Sequence, residues 1–196
     1  MTRPRLRLVL ASVVVAAVAT AGATLVSQQK PPMPQKPGPA AGPVLVLDTV
    51  KGVIEIELFP AEAPKSVARV LELAKQGFYR GQRFHWVQRG VVQFGDPFSR
   101  DMTKESSWGK GGSGYRNANR PIGVLEASKR KFERGTVGMA YYSDQRPEDA
   151  DSQMFILTMP NPQLDGKYAL VGRVTRGLAI VEKLEKADTI KNLTIK

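Results

Sequence analysis

Beyond residue 43 the chain alternates short apolar stretches with polar ones, and the intervals read as strands more often than as helices. Val44-Leu45-Val46-Leu47-Asp48-Thr49 and Val53-Ile54-Glu55-Ile56-Glu57-Leu58 predict two strands joined around Val50-Lys51-Gly52. The second alternates apolar and acidic residues, the period of a half-buried strand. Pro64 suits the first turn of a helix, Val67, Val70, Leu71 and Ala74 follow at helical spacing, and Gly77 supplies the stop. Further strands are expected at Phe84–Val87, Val91–Phe94, Thr136–Ala140, Met154–Thr158, Ala169–Val174 and Ile190–Ile195, with a short helix at Leu178–Lys186. Many short strands and few helices predict a mainly β domain closed into an antiparallel barrel.

The pattern ahead of that domain is different. Arg3, Arg5 and Arg7 precede an uncharged run of Ala and Val from Leu8 to Val26. Basic start, apolar middle and small residues near Ala19–Ala23 make the tripartite pattern of an export signal. The run is also long enough to stay in a bilayer as an uncleaved anchor, with the arginines held on the cytoplasmic side. Residues 1–29 are therefore expected to be a signal peptide or signal-anchor helix, placing the rest in the periplasm or otherwise outside the cytoplasm. Residues 30–43 carry Pro31, Pro32, Pro34, Pro37, Pro39 and Pro43, which predict an extended, semi-rigid spacer. The folded domain is expected over 44–196.

Composition narrows the chemistry. The formal net charge of the whole chain is +11, from 29 basic and 18 acidic residues. Residues 1–43 contribute five of the bases and no acid, so the domain is only moderately basic, and no stripe of basic and aromatic residues suggests nucleic acid. The absence of cysteine excludes disulfides, thiol catalysis and Cys-type metal sites. With His85 as the single histidine, a histidine-based triad or multi-histidine metal site is impossible. The acids Asp144, Glu148, Asp149 and Asp151 do not have the spacing of a calcium loop. They read as a solvated acidic loop, or as a selector of basic residues near a ligand. Gly109-Lys110-Gly111-Gly112-Ser113-Gly114 satisfies a dinucleotide fingerprint only formally, since the flanking strand, helix and acidic residue are missing.

Several motifs fall in one order: Thr49-Val50-Lys51-Gly52-Val53-Ile54, Ala63-Pro64-Lys65-Ser66-Val67, Gly77-Phe78-Tyr79, Phe84-His85, Gln93-Phe94-Gly95-Asp96-Pro97, Gly135-Thr136-Val137-Gly138-Met139-Ala140, Ser152-Gln153 and Leu164-Asp165-Gly166-Lys167-Tyr168. In this order they resemble the cyclophilin family of peptidyl-prolyl cis-trans isomerases. The resemblance implies a closed eight-stranded antiparallel barrel capped by two helices, with a peptide groove on its outer face. It also implies isomerase (rotamase) activity in protein folding without cofactor or metal, and proline-containing peptides or folding proteins as partners. Val92, Phe155 and Leu164 match the family's proline pocket, with Met139 on its floor. Gln93 matches the glutamine that holds the substrate backbone, Tyr168 a residue of the rim, and Tyr141 a position that acts mainly through its backbone. His85 matches a supporting residue beside the site.

The chain departs from the family pattern at three places. Trp86 stands where the family usually carries its catalytic arginine, the turn at Gly90 is one residue shorter, and Gln163 occupies a variable position beside the pocket. The reaction itself makes and breaks no covalent bond, but must cross a barrier of about 18–20 kcal/mol set by amide resonance. A catalyst prefers the twisted amide, whose nitrogen has become a better hydrogen-bond acceptor. Arginine offers a charged, forked donor there, whereas tryptophan offers one neutral N–H. Arg83 and Arg89 are the nearby guanidinium groups that could substitute. The expectation is an isomerase of weakened activity; the alternatives are a non-catalytic proline-binding or chaperone module, or a structural barrel that does not use its groove.

Overall fold

The computed structural model describes residues 42–142 and 146–196. The export segment expected at residues 1–29 lies outside them, as does the proline-rich segment apart from Gly42 and Pro43. Among the described residues no helix is long and apolar enough to cross a membrane.

Alternating sequence becomes a two-sided sheet. The strands are β1 (Val44–Thr49), β2 (Gly52–Leu58), β3 (Trp86–Gln88), β4 (Val91–Phe94), β5 (Thr136–Met139), β6 (Met154–Leu157), β7 (Leu170–Arg176) and β8 (Ile190–Ile195). They form one eight-stranded sheet in the order β3-β4-β6-β5-β7-β2-β1-β8, with every neighbouring pair antiparallel. Leu45, Leu47, Ile54, Ile56 and Leu58 point inward and are fully buried. Each stabilises the fold by about 1.5–3 kcal/mol through loss of water contact. Glu55 and Glu57, between them, point outward and pair with Lys196 and Arg173.

Helix α1 (Pro64–Lys75) buries Val67, Val70, Leu73 and Ala74 against the inner face. Ala63 cannot cap it, and the carboxylate of Glu126 does so instead, accepting from the Lys65 and Ser66 amides at 2.8 Å each. At the other end Gly77, with φ of +66°, lets its own amide reach Ala74 and the Phe78 amide reach Leu73. The second helix, α2, is shorter than expected: it spans only Leu178–Val181, and successive turns carry the chain from there to β8.

The sheet curls but is not the closed barrel expected. Its end strands β3 and β8 share no ladder; Arg83 and Thr189, just ahead of each, meet in an isolated bridge. The Phe84 amide donates to Asp188 and the Ile190 amide to Gln82, so irregular backbone spans the gap. Ala187, at φ +75°, explains it, because a left-handed residue ends any extended pairing at that point.

One strand departs from alternation. Met154-Phe155-Ile156-Leu157 of β6 is apolar throughout and buried throughout. Met154 and Ile156 join the main core, whereas Phe155 and Leu157 join a second cluster with Phe132, Ala140 and Leu170 on the opposite face. That second apolar face carries the site.

Candidate active site

The second face opens into a cavity of about 430 Å³, within the range usual for small-ligand sites. Strand parity decides which residues reach it. On β4, Val91 and Gln93 line the cavity while Val92 and Phe94 pack inward. On β6, Phe155 and Leu157 line it. On β5, Val137 and Met139 enter the core, leaving Gly138 on the cavity side, with Ala140 just beyond the strand.

Phe155 is the centre of the apolar wall. It is 4% exposed, lies 5.7 Å from the Phe132 ring in a stacked arrangement, and meets the edge of Tyr168 at 5.4 Å. Its ring occupies the place a side chain at position 138 would take: a Cβ there would sit 2.4 Å from Phe155 Cζ. Glycine at 138 is thus what lets the ring lie flat over β5. Tyr168 in turn stacks on Tyr141 at 4.7 Å, and Leu164 closes that side. Burial, with the contact to Tyr168, pushes the Tyr141 hydroxyl up to about 12, so it stays neutral.

Polar groups enter from β3 and β4. Trp86 pairs with Gln93, and Gln93 pairs with Phe155, so three candidate site positions lie abreast across three strands. The Gln153 amide nitrogen donates to the carbonyls of Gly109 and Gly111 at 2.8 Å each. Two carbonyl acceptors fix which end of Gln153 is the donor; its oxygen must then accept, and it does so from Gln93 at 2.9 Å. Gln93 therefore presents its own carbonyl oxygen, with one remaining amide proton, to a ligand in the cavity.

The glycine-rich loop is held by buried carboxylates. Asp96 accepts from the amides of Phe98 and Gly109, and burial raises its pKa against the pull of those donors. Asp151 is 2% exposed and accepts from the Ser113 amide and hydroxyl, the Arg120 amide and the Arg69 guanidinium. It is a structural anchor, not part of a solvated acidic loop. Glu148 and Asp149 pair with Arg146, and Asp144 lies outside the described residues.

The sequence-derived residues divide accordingly. Trp86, Gln93, Tyr141, Phe155, Leu164 and Tyr168 line one cavity. Val92 and Met139 were expected there and belong to the main core instead, because consecutive residues of a strand point to opposite faces. His85 is 5% exposed behind the cavity, beside Gly109, and neither ring nitrogen has a hydrogen-bond partner among the described residues. Burial lowers its pKa to about 4, so it is a neutral packing group at physiological pH. Val91, Ala140 and Leu157 were missed, and counting strand parity from Gln93 and Phe155 would have found Val91 and Leu157; Arg89, expected only as a stand-in for the arginine, lines the cavity as well. Among the described residues no group of three or more acids, histidines or cysteines is placed to hold a metal ion.

An aromatic-walled cavity with an amide acceptor at its edge suits a proline ring and the peptide bond before it. Known proteins resemble this chain in sequence and fold. The sequence model of the family described as cyclophilin type peptidyl-prolyl cis-trans isomerase/CLD matches residues 44–196. A probable peptidyl-prolyl cis-trans isomerase of Brucella suis is 38% identical over 153 residues, which cover 78% of this chain and 76% of that protein. A peptidyl-prolyl cis-trans isomerase of Helicobacter pylori is 33% identical over 150 residues, 75% of this chain and 83% of that one. The crystal structure of a cyclophilin type peptidyl-prolyl cis-trans isomerase from Cryptosporidium parvum superposes with a TM-score of 0.65 at 27% identity, covering 78% and 96% of the two chains. The chain belongs to this family and is a cyclophilin-type peptidyl-prolyl cis-trans isomerase.

Proposed function

We propose that this enzyme isomerises X-Pro bonds of proteins folding outside the cytoplasm, with a turnover lowered by tryptophan at position 86. The observation that carries the site assignment is the Phe155-centred cavity with Gln93 fixed at its edge by Gln153. The proline ring sits against Phe155, Leu164 and Tyr168, and Gln93 accepts from a substrate backbone N–H. A related Cryptosporidium parvum isomerase, 28% identical, was crystallised in the presence of the dipeptide Ala-Pro, which supports a proline ligand here. The extracytoplasmic setting rests on the basic and apolar pattern of residues 1–29.

The lowered turnover rests on the pairing of Trp86 with Gln93. A charged donor at that position would face the prolyl nitrogen; the indole supplies only a neutral N–H. Arg83 does not replace it, because its guanidinium bonds the Ala187 carbonyl and the Thr189 hydroxyl at the far seam of the sheet. The same tryptophan favours a second reading, a groove that holds proline segments and leaves them unturned. Exchange spectroscopy on an X-Pro peptide with the full chain separates the two. Isomerisation faster than the uncatalysed rate supports the enzyme, whereas peptide shifts without acceleration support the holding module. Fractionation of cells expressing the full chain tests the location, and recovery in the cytoplasmic fraction would refute it.

A further inference from the structure

The acids that the sequence offered as a selector of basic ligands are engaged with the protein's own groups: Asp151 with Arg69 and the loop amides, Glu148 and Asp149 with Arg146. The groove itself carries the opposite sign. Arg89 is the one charged residue lining the cavity among the described residues, and it is exposed, with no ion pair or hydrogen bond to a described residue. Glu182, across the hairpin, is already held by Arg134.

The position of Arg89 follows from the shortened turn. Gln88 pairs with Val91, so Arg89 and Gly90 alone make the reversal, and Gly90 takes φ of +92°. The Gly90 carbonyl accepts from the Thr158 amide at 3.0 Å, fixing the turn to the segment that leads into Met159. Arg89 thus stands at one end of the groove, on the rim between it and the cleft lined by Glu182. Trp86 lies three residues back, about 10 Å along an extended strand. This separation places Arg89 beside a neighbour of the bound proline rather than at the prolyl nitrogen.

We propose that Arg89 makes the enzyme select substrates with an acidic residue next to the proline, on the side that lies toward the β3–β4 turn. Trp86 and Met159, 50% and 44% exposed, flank the cavity and give the acidic residue's aliphatic part an apolar bed. The inference rests on the isomerase reading and deepens it. An exposed ion pair supports a preference of about two- to fivefold, which salt should weaken.

The test compares X-Pro peptides that differ only by Glu, Gln or Lys at the residue before or after the proline, with the full chain in mild detergent. Both kcat/KM and Kd are measured at low and high salt. Glu should exceed Gln by about two- to fivefold on one side of the proline, the margin should shrink in high salt, and Lys should fall below Gln. Arg89→Gln should bring the Glu-to-Gln ratio to one, and Arg89→Glu should invert the order. Equal values for the three peptides, or a ratio unchanged in Arg89→Gln, would overturn the proposal. If no peptide is isomerised, the isomerase reading fails while the Kd ratios still decide whether Arg89 selects.

Discussion

Replacing Trp86 with arginine should raise isomerase activity, and the size of the rise can be argued from the strand it sits on. Trp86 is half exposed on a three-residue edge strand, so the substitution removes little packing and should change stability by no more than about 0.5 kcal/mol. The new guanidinium would stand beside Gln93 and across from Phe155, where the amide nitrogen of a bound proline would come. A preorganised donor aimed at a developing acceptor changes a rate by about 10²–10³. Position 86 is half open to water, which screens the charge, so the lower end, about 10², applies. Trp86→Gln, with a neutral donor, should gain far less, and Trp86→Lys should fall between. The measurement is kcat/KM on one X-Pro peptide for the full chain and its three variants, alongside peptide Kd from titration. A gain of less than about threefold in Trp86→Arg, with folding and Kd preserved, would show that position 86 does not face the reacting bond.

Three further outcomes follow from the packing. Gly138→Ala must push the Phe155 ring by placing a methyl 2.4 Å from Cζ; it should cost about 1–3 kcal/mol of stability and weaken peptide binding, read by thermal melting and titration. Asp151→Ala leaves Arg69 and the amides of Ser113 and Arg120 without their buried acceptor; a loss of about 3–5 kcal/mol is expected in denaturant unfolding, with faster hydrogen exchange in the glycine-rich loop. His85 titrates near 6.5 when unfolded and near 4 when folded because burial disfavours its charged form. Between those values the unfolded chain binds more protons, so the wild type should lose stability relative to His85→Gln as pH falls from about 6.5 to about 4, on the order of 3 kcal/mol in all. A pH-independent difference between the two proteins would show that His85 is not desolvated.

Much of the fold was legible because its strands obey simple rules. β1, β2, β4 and β8 fall at the positions expected, and α1 begins at Pro64 and stops ahead of Gly77 as the pattern predicts. The open seam was not legible: it depends on a left-handed Ala187 and on Arg83 meeting Thr189 across a long separation, and neither leaves a hydrophobic period. Helix α2 failed for a similar reason, since the turns after Val181 hold Leu184 in the core without a helix.

The site was legible as a set of segments and less so as a set of side chains. A matched motif fixes where the backbone passes, but on a strand one residue decides between core and groove. Val92 beside Gln93, and Met139 beside Gly138, therefore face the core, while Phe155 faces the cavity. The reason is physical: β6 is apolar on both faces and β4 sets Val91 on the cavity face against Val92 on the core face, so hydrophobicity alone does not say which side is the ligand's. Gly138 can. A glycine between Val137 and Met139 makes sense only where another group needs the space, and the ring of Phe155 fills it. Arg89 carries the same logic for charge. Among the described residues it is the one charged group lining the apolar cavity, and the selectivity proposed for it follows from that placement.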